Sequence, residues 1–159
     1  MAPAGACPGG PVVHRGGCHC GAVRFEFEGG PRLKAWRCNC SICAMKRNDH
    51  TMVPAARFRL LAPAALDATA PRAGGDGSAH RVISEYRFGT HTARHLFCST
   101  CGICPFYVPR SNPDGFGVNV HCIDEGTADV VTFADFDGRD WEGSFAATGI
   151  AAETDVGDG

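Results

Sequence analysis

The chemistry in this chain is concentrated in its cysteines. There are ten among 159 residues, and seven of them form three tight groups: Cys18-His19-Cys20, Cys38-Asn39-Cys40-Ser41-Ile42-Cys43 and Cys98-Ser99-Thr100-Cys101. A disulfide scaffold spreads its cysteines so that loops are closed, whereas clusters of this kind suit a metal ion held by thiolates. In extended backbone, residues i and i+2 face the same way, so Cys18 and Cys20 present two sulfurs on one side. Cys98 and Cys101 have the spacing of a zinc knuckle, and Gly102 supplies the conformational freedom for a tight turn after it. The two pairs predict a closed four-cysteine zinc site that ties the start of the domain to its later half and stabilises the fold outright.

The middle group differs in number. Cys38, Cys40 and Cys43 give three protein ligands, and three ligands leave a coordination position for water or substrate, the pattern of a reactive zinc rather than a structural one. A second Zn²⁺ is therefore expected here. Three thiolates against one dication leave a single negative charge, which weakens the metal as a Lewis acid and disfavours acidic water and hydrolysis. A soft, sulfur-rich zinc is better matched to an incoming small thiol, held as a thiolate that stays nucleophilic toward an electrophile such as an aldehyde. Cys38, Cys40 and Cys43 are thus the candidate catalytic residues.

Four residues compete for the fourth position of that site: Cys104, Cys122, His50 and His121. Cys104 and Cys122 read as buried core thiols. His121 is either a donor to a ligand, a substrate contact or a satisfied core histidine. His50, soon after the cluster, is the preferred outsider. His19, between two ligands, is expected to point away, and Cys7 to be uncoordinated. Lys46 and Arg47 are candidates to attract an anionic thiol, with solvated basic residues as the plainer reading. Arg110-Ser111-Asn112 form a polar turn that either receives a carboxylate or is simply a capped surface turn.

The elements that carry these residues read mainly as strands. Val23, Phe25 and Phe27 alternate with Arg24, Glu26 and Glu28 and end at Gly29-Gly30, the period of a half-buried strand. Residues 33–37, 51–54, 81–88, 94–97, 103–108, 115–121 and 128–136 are further strand candidates, rich in β-branched and aromatic residues. Phe25, Phe27, Phe97, Phe106 and Phe133 are the expected aromatic core. The fold class is mainly β, with twisted antiparallel sheets tied by zinc. Residues 1–15 read as a loose tail, 16–145 as the zinc-binding domain with a flexible loop at 62–79, and 146–159 as an acidic, frayed tail in which Trp141 anchors the last ordered turn before it.

Composition bounds the partners. With 44% hydrophobic residues the chain can bury one ordinary core. A charged fraction of 20% and a formal net charge of -2 leave no cationic excess for phosphates or anionic lipid, so neither nucleic acid nor membrane is an expected partner. The first residues do not read as a secretory signal, and the compartment expected is intracellular and reducing, most simply the cytoplasm.

The segment GGCHCGAVRFEFEG, the CNCSIC cluster and the FCSTCG knuckle resemble the family of glutathione-dependent formaldehyde-activating enzymes and centromere protein V. The run VPRSNPDGFGVNVHCIDEGT (Val108 to Thr127) is similar to the centromere protein V branch, and the likeness spans Gly16 to Trp141. It implies a β-tent fold, a structural zinc on Cys18, Cys20, Cys98 and Cys101, and a second zinc on Cys38, Cys40 and Cys43, where the thiol of glutathione combines with formaldehyde to S-hydroxymethylglutathione. The loop at 62–79 is longer than in that family, and the sequence lacks the basic, Pro-rich extension of the animal branch on which a chromatin role would rest. Two functions follow: a carbon–sulfur lyase acting on glutathione or a similar thiol and an aldehyde, or a non-catalytic zinc module with protein partners in a larger complex.

Overall fold

The computed structural model describes residues 10–72 and 75–154. Its strands are β1 (Val12–Gly17), β2 (Arg24–Gly29), β3 (Arg32–Cys38), β4 (His50–Pro54), β5 (Phe58–Ala62), β6 (Thr69–Pro71), β7 (Ala79–Arg81), β8 (Ile83–Tyr86), β9 (Arg94–Cys98), β10 (Phe106–Val108), β11 (Gly115–Asn119) and β12 (Val130–Phe136). Two short α-helices, α1 (Ser41–Lys46) and α2 (Trp141–Thr148), and 3-10 turns at Ala55–Arg57, Val120–Cys122, Gly138–Asp140 and Ile150–Thr154 complete it. A three-stranded sheet has the order β1-β2-β5, and a seven-stranded sheet the order β12-β3-β4-β11-β10-β9-β8. The pairings are antiparallel except between β3 and β12, which run parallel from Val130↔Arg32 to Phe136↔Cys38.

The alternation in β2 has the predicted consequence. Phe25 and Phe27 are fully buried, and Phe25 meets Phe106 of β10 edge-on with ring centroids 5.8 Å apart, so the main core lies between the two sheets. Truncating a phenylalanine at such a position costs about 3–5 kcal/mol. A smaller apolar cluster of Trp36, Met52, Phe136 and Ile150, with Trp141 and Phe145 packed on it, sits at the β3 end of the large sheet. It backs the three-cysteine group.

Five expectations are corrected. The tail read over 1–15 gives way at Val12 to β1, where His14 is buried, stacks on Phe27 at 4.8 Å and hydrogen-bonds through Nε2 to the Gly30 carbonyl at 2.9 Å. Its Gly- and Pro-rich lead-in hid one buried histidine; Cys7 lies outside the described residues. The stretch read as a flexible loop over 62–79 contains β6, which pairs with β7 from Thr69↔Arg81 to Pro71↔Ala79. Residues 146–154, read as a frayed tail, are folded: Asn112 donates from Nδ2 to the carbonyls of Ile150 and Ala151 at 3.0 and 3.1 Å and to Thr154 Oγ1 at 3.0 Å. Glu153 accepts from Lys34 Nζ at 2.7 Å and Trp36 Nε1 at 2.8 Å. Asn112 is therefore a buried clasp, not part of a surface turn. Phe133 is exposed rather than in the core, its ring covered by the Arg37 guanidinium at 4.6 Å. It lies on β12, the edge strand of the seven-stranded sheet, outside the main core.

Candidate metal centres and the cleft beside them

Cys18 and Cys20 lie in the turn between β1 and β2, not on extended strand. The turn is closed by Cys18 N–H to Val23 O at 3.0 Å and Gly21 N–H to Cys18 O at 3.2 Å, with Gly21 at φ 80°. Cys98 ends β9, and the chain reverses through Cys101 with Gly102 at φ 75° donating to Cys98 O at 2.9 Å, the left-handed position that favours glycine. The two turns bring four sulfurs within 4.8 Å of one another. Cys18 Sγ and Cys98 Sγ each lie 3.6 Å from Cys20 Sγ, close to the roughly 3.8 Å expected between sulfurs around a tetrahedral zinc with bonds of about 2.3 Å.

Backbone N–H groups of Val23 and Thr100 point at Cys18 Sγ and Cys98 Sγ at 3.3 and 3.4 Å, and such donors favour thiolates. Burial nonetheless pushes Cys18 up to about 12, so the group needs a cation to ionise together. The donor set fits a metal ion.

The second group is built where β3 passes into α1. Cys38 ends the strand, Cys40 is the N-cap residue of the helix and Cys43 lies within it. Their three sulfurs also lie within 4.8 Å of one another. The helix stops at Arg47, whose left-handed φ of 49° turns the chain so that Asn48 N–H meets Cys43 O at 3.0 Å. Asn48 then donates from its side-chain amide to Cys43 Sγ at 3.7 Å. Opposite, Gly138 comes so near that a Cβ there would lie 2.6 Å from Cys38 Sγ and 2.6 Å from Cys40 Cβ.

Charge within this group is strongly coupled. Hydrogen bonds from the Cys38 and Cys43 thiols favour a thiolate on Cys40 and pull its pKa down, while the same bonds push Cys43 up, and the bond with Cys40 does so for Cys38. The bare cluster holds one negative charge readily and resists three, which a divalent cation would supply the charge to hold. Among the described residues no fourth His, Cys, Asp or Glu joins the group.

Each proposed fourth ligand is engaged elsewhere. His50, the preferred outsider, uses both ring nitrogens: Nδ1 at 3.0 Å from Asn48 O and Nε2 at 2.9 Å from the Tyr107 hydroxyl. His121 Nε2 contacts Asp49 at 2.8 Å. The thiols of Cys104 and Cys122 donate to the carbonyls of Phe106 and Cys104 at 3.8 and 4.0 Å, and burial raises the pKa of both.

The three-cysteine group opens into a cleft of about 710 Å³. Its floor is formed by His50, Tyr107 and His95, and one wall by Phe136, Trp141 and Ile150 of the smaller apolar cluster. Arg110 and Arg139 stand at the side. Arg110 stacks on Trp141 at 3.7 Å and pairs with Glu142 at 2.8 Å; Arg139 has no carboxylate partner within salt-bridge distance among the described residues. Lys46 does not face this cleft, since its Nζ is buried over the Phe97 ring at 5.4 Å. Arg47 lines a second depression with Asp49, Asp135 and Asp137, on another side of Cys38 and Cys43. Those two residues were the legible cations, but the cleft takes its own from Arg110 and Arg139. Gly138, Tyr107, His95 and Arg139 carry no motif and were not foreseen.

A mainly β fold of two twisted sheets, with one four-sulfur and one three-sulfur group, defines a class of cysteine-rich metal-binding domain. The family model for glutathione-dependent formaldehyde-activating enzymes matches residues 13–135, and the chain belongs to that family. A crystal structure of a Rhodobacter sphaeroides protein is similar at 32% identity and a TM-score of 0.54, covering 76% of this chain and 99% of that one. No helix among the described residues is long and apolar enough to cross a membrane.

Proposed function

We propose that the protein binds two Zn²⁺ ions, one on Cys18, Cys20, Cys98 and Cys101 and one on Cys38, Cys40 and Cys43, and that at the second it joins glutathione or a similar small thiol to formaldehyde or another aldehyde. The observation that carries this reading is a three-sulfur group without a fourth protein ligand among the described residues, opening into a cleft of about 710 Å³, within the usual range for a small-molecule site. Zinc bound there would accept the sulfur of the incoming thiol and keep it ionised at neutral pH. The chain's own residues do the rest. The apolar wall of Phe136, Trp141 and Ile150 excludes water from one side of the reacting sulfur. Arg139 offers its guanidinium to a carboxylate of the thiol, a charge-assisted contact suited to a peptide such as glutathione.

The test has two arms. Elemental analysis of protein purified without added metal should give about two zinc per chain, as the two ligand sets imply. Cobalt-substituted protein should then gain thiolate-to-metal charge-transfer intensity when glutathione is added, and exchange spectroscopy by nuclear magnetic resonance should show faster adduct formation with formaldehyde. Unchanged spectra and unaccelerated exchange would sink the enzyme reading and leave a zinc module with a structural role.

A further inference from the structure

Joining a thiol to an aldehyde moves a proton as well as an electron pair. The thiol loses a proton when it binds as a thiolate, and the alkoxide needs one when the adduct is released. With a metal held, the three sulfurs of the cysteine group would all be engaged as ligands and not free to store it. We propose that Tyr107 and His50 form a proton relay that takes the thiol's proton as it binds and returns it to the oxygen of the adduct; the inference rests on the reading above.

The geometry fixes the direction of the relay. Asn48 O is a carbonyl and can only accept, so His50 Nδ1, 3.0 Å away, carries a hydrogen. In the neutral ring Nε2 then has a free lone pair, and the Tyr107 hydroxyl 2.9 Å from it must be the donor. Tyr107 is left with lone pairs on its oxygen, and both residues line the cleft into which Cys38, Cys40 and Cys43 open. The pair thus rests as a base.

Its placement is held from several sides. Tyr107 on β10 and His50 on β4 meet across β11, which is possible because Gly117 has no side chain: a Cβ there would lie 2.4 Å from Tyr107 Cε1 and 3.2 Å from His50 Cδ2. His95 stacks on the other side of Tyr107 with centroids 5.3 Å apart and planes 10° from parallel. Asn48 mounts both parts of the site, orienting His50 through its carbonyl and contacting Cys43 Sγ through its amide at 3.7 Å. Burial lowers the His50 pKa, so the ring rests neutral, while the negative charges of Cys40, Asp49 and Glu153 favour its protonation once the thiol is bound.

The step balances. As the thiol binds and becomes a thiolate, its S–H proton passes to the Tyr107 oxygen and the tyrosine's own proton passes to His50 Nε2; a lone pair of the thiolate sulfur then forms the C–S bond. The π pair of the aldehyde C=O moves onto its oxygen. That alkoxide then takes a proton from Tyr107, which is replenished from Nε2. One C–S bond forms, one C=O π bond breaks, and nothing is oxidised or reduced.

Calorimetry of glutathione binding in buffers of different ionisation enthalpy counts the protons given to solvent, without any aldehyde present. The intact zinc protein should release close to none near pH 7, because the relay keeps the thiol's proton. Tyr107→Phe, which preserves the ring, and His50→Gln should each release about one proton per glutathione and slow adduct formation by roughly a hundredfold or more, the usual scale for general acid–base catalysis. Their KM for glutathione and their cobalt charge-transfer band should stay near wild type. Release of a full proton by the wild-type protein, or Tyr107→Phe with wild-type proton count and rate, overturns the relay while leaving thiol binding intact. Absence of the glutathione-dependent cobalt band in the wild type overturns the thiol reading itself, and the relay with it.

Discussion

Gly138 and Cys38 are too close for any side chain to stand between them: a methyl group on Gly138 would sit 2.6 Å from the Cys38 sulfur. The contact joins the turn after β12 to the end of β3, two strands that run parallel and finish side by side at Phe136 and Cys38. The turn is held by Asn39 N–H to Phe136 O at 3.3 Å and by Asn39 Nδ2 to Asp137 Oδ1 at 2.9 Å. The backbone of 137–139 is therefore one wall of the three-cysteine group.

Gly138→Ala should accordingly disturb the three-cysteine group and spare the four-cysteine one. Forcing a methyl into a packed site costs about 1–3 kcal/mol, and here the atoms that must move are Cys38 Sγ and Cys40 Cβ. Metal analysis should show the variant losing about one metal equivalent on mild chelation while its circular dichroism stays at wild type. A variant that keeps two ions under the same chelation would show that the cluster has slack the geometry does not suggest.

The two sulfur groups should fail in different ways. Cys98→Ser removes a fully buried sulfur from the group that links the β1–β2 turn to the end of β9, and loss of a structural zinc site commonly unfolds the domain that depends on it. The expected outcome is insoluble or unfolded protein. Cys40→Ser acts at the N-cap of α1, beside the cleft and outside the main core. It should leave the fold and about one zinc per chain, with the cobalt response to glutathione abolished. Equal loss of folding in both variants would contradict the division of roles.

How much of this was legible follows from the range of each signal. The seven cysteines declare themselves by local spacing, and β2 by a period of two residues, because both are written within a few positions of sequence. Tyr107, His95 and Gly138 are brought to the cleft by the pairing of strands far apart in the chain, and nothing near them in sequence marks that. The same holds for 146–154: its small and acidic residues read as a tail, but its order comes from Asn112 and from the Lys34–Trp36 strand. Lys46 and Arg47 were legible as charges, but neither lines the cleft. A short helix ending in a left-handed Arg47 turns them from the cleft.

His95 gives the protein an acid sensitivity whose sign is fixed by its surroundings. The ring is packed between Phe88 at 5.5 Å and Tyr107 at 5.3 Å, and its Nδ1 is buried without a hydrogen-bond partner. Burial first, and the nearby charge of Lys46 second, lower its pKa to about 4, against about 6.5 in an unfolded chain. Between those values the unfolded state carries the extra proton, so this contribution to stability is complete above about pH 6.5 and is lost as the pH falls toward about 4. Thiolate ligands also protonate in acid, so the contribution must be read as a difference between two proteins that share them. His95→Phe keeps a flat ring between Phe88 and Tyr107 and removes the titrating group. Urea midpoints measured for both proteins from about pH 7 down to about pH 4.5 should converge or cross as the wild type loses stability more steeply. Parallel curves over that window would mean that His95 reaches water when protonated and is not held neutral by the packing around it.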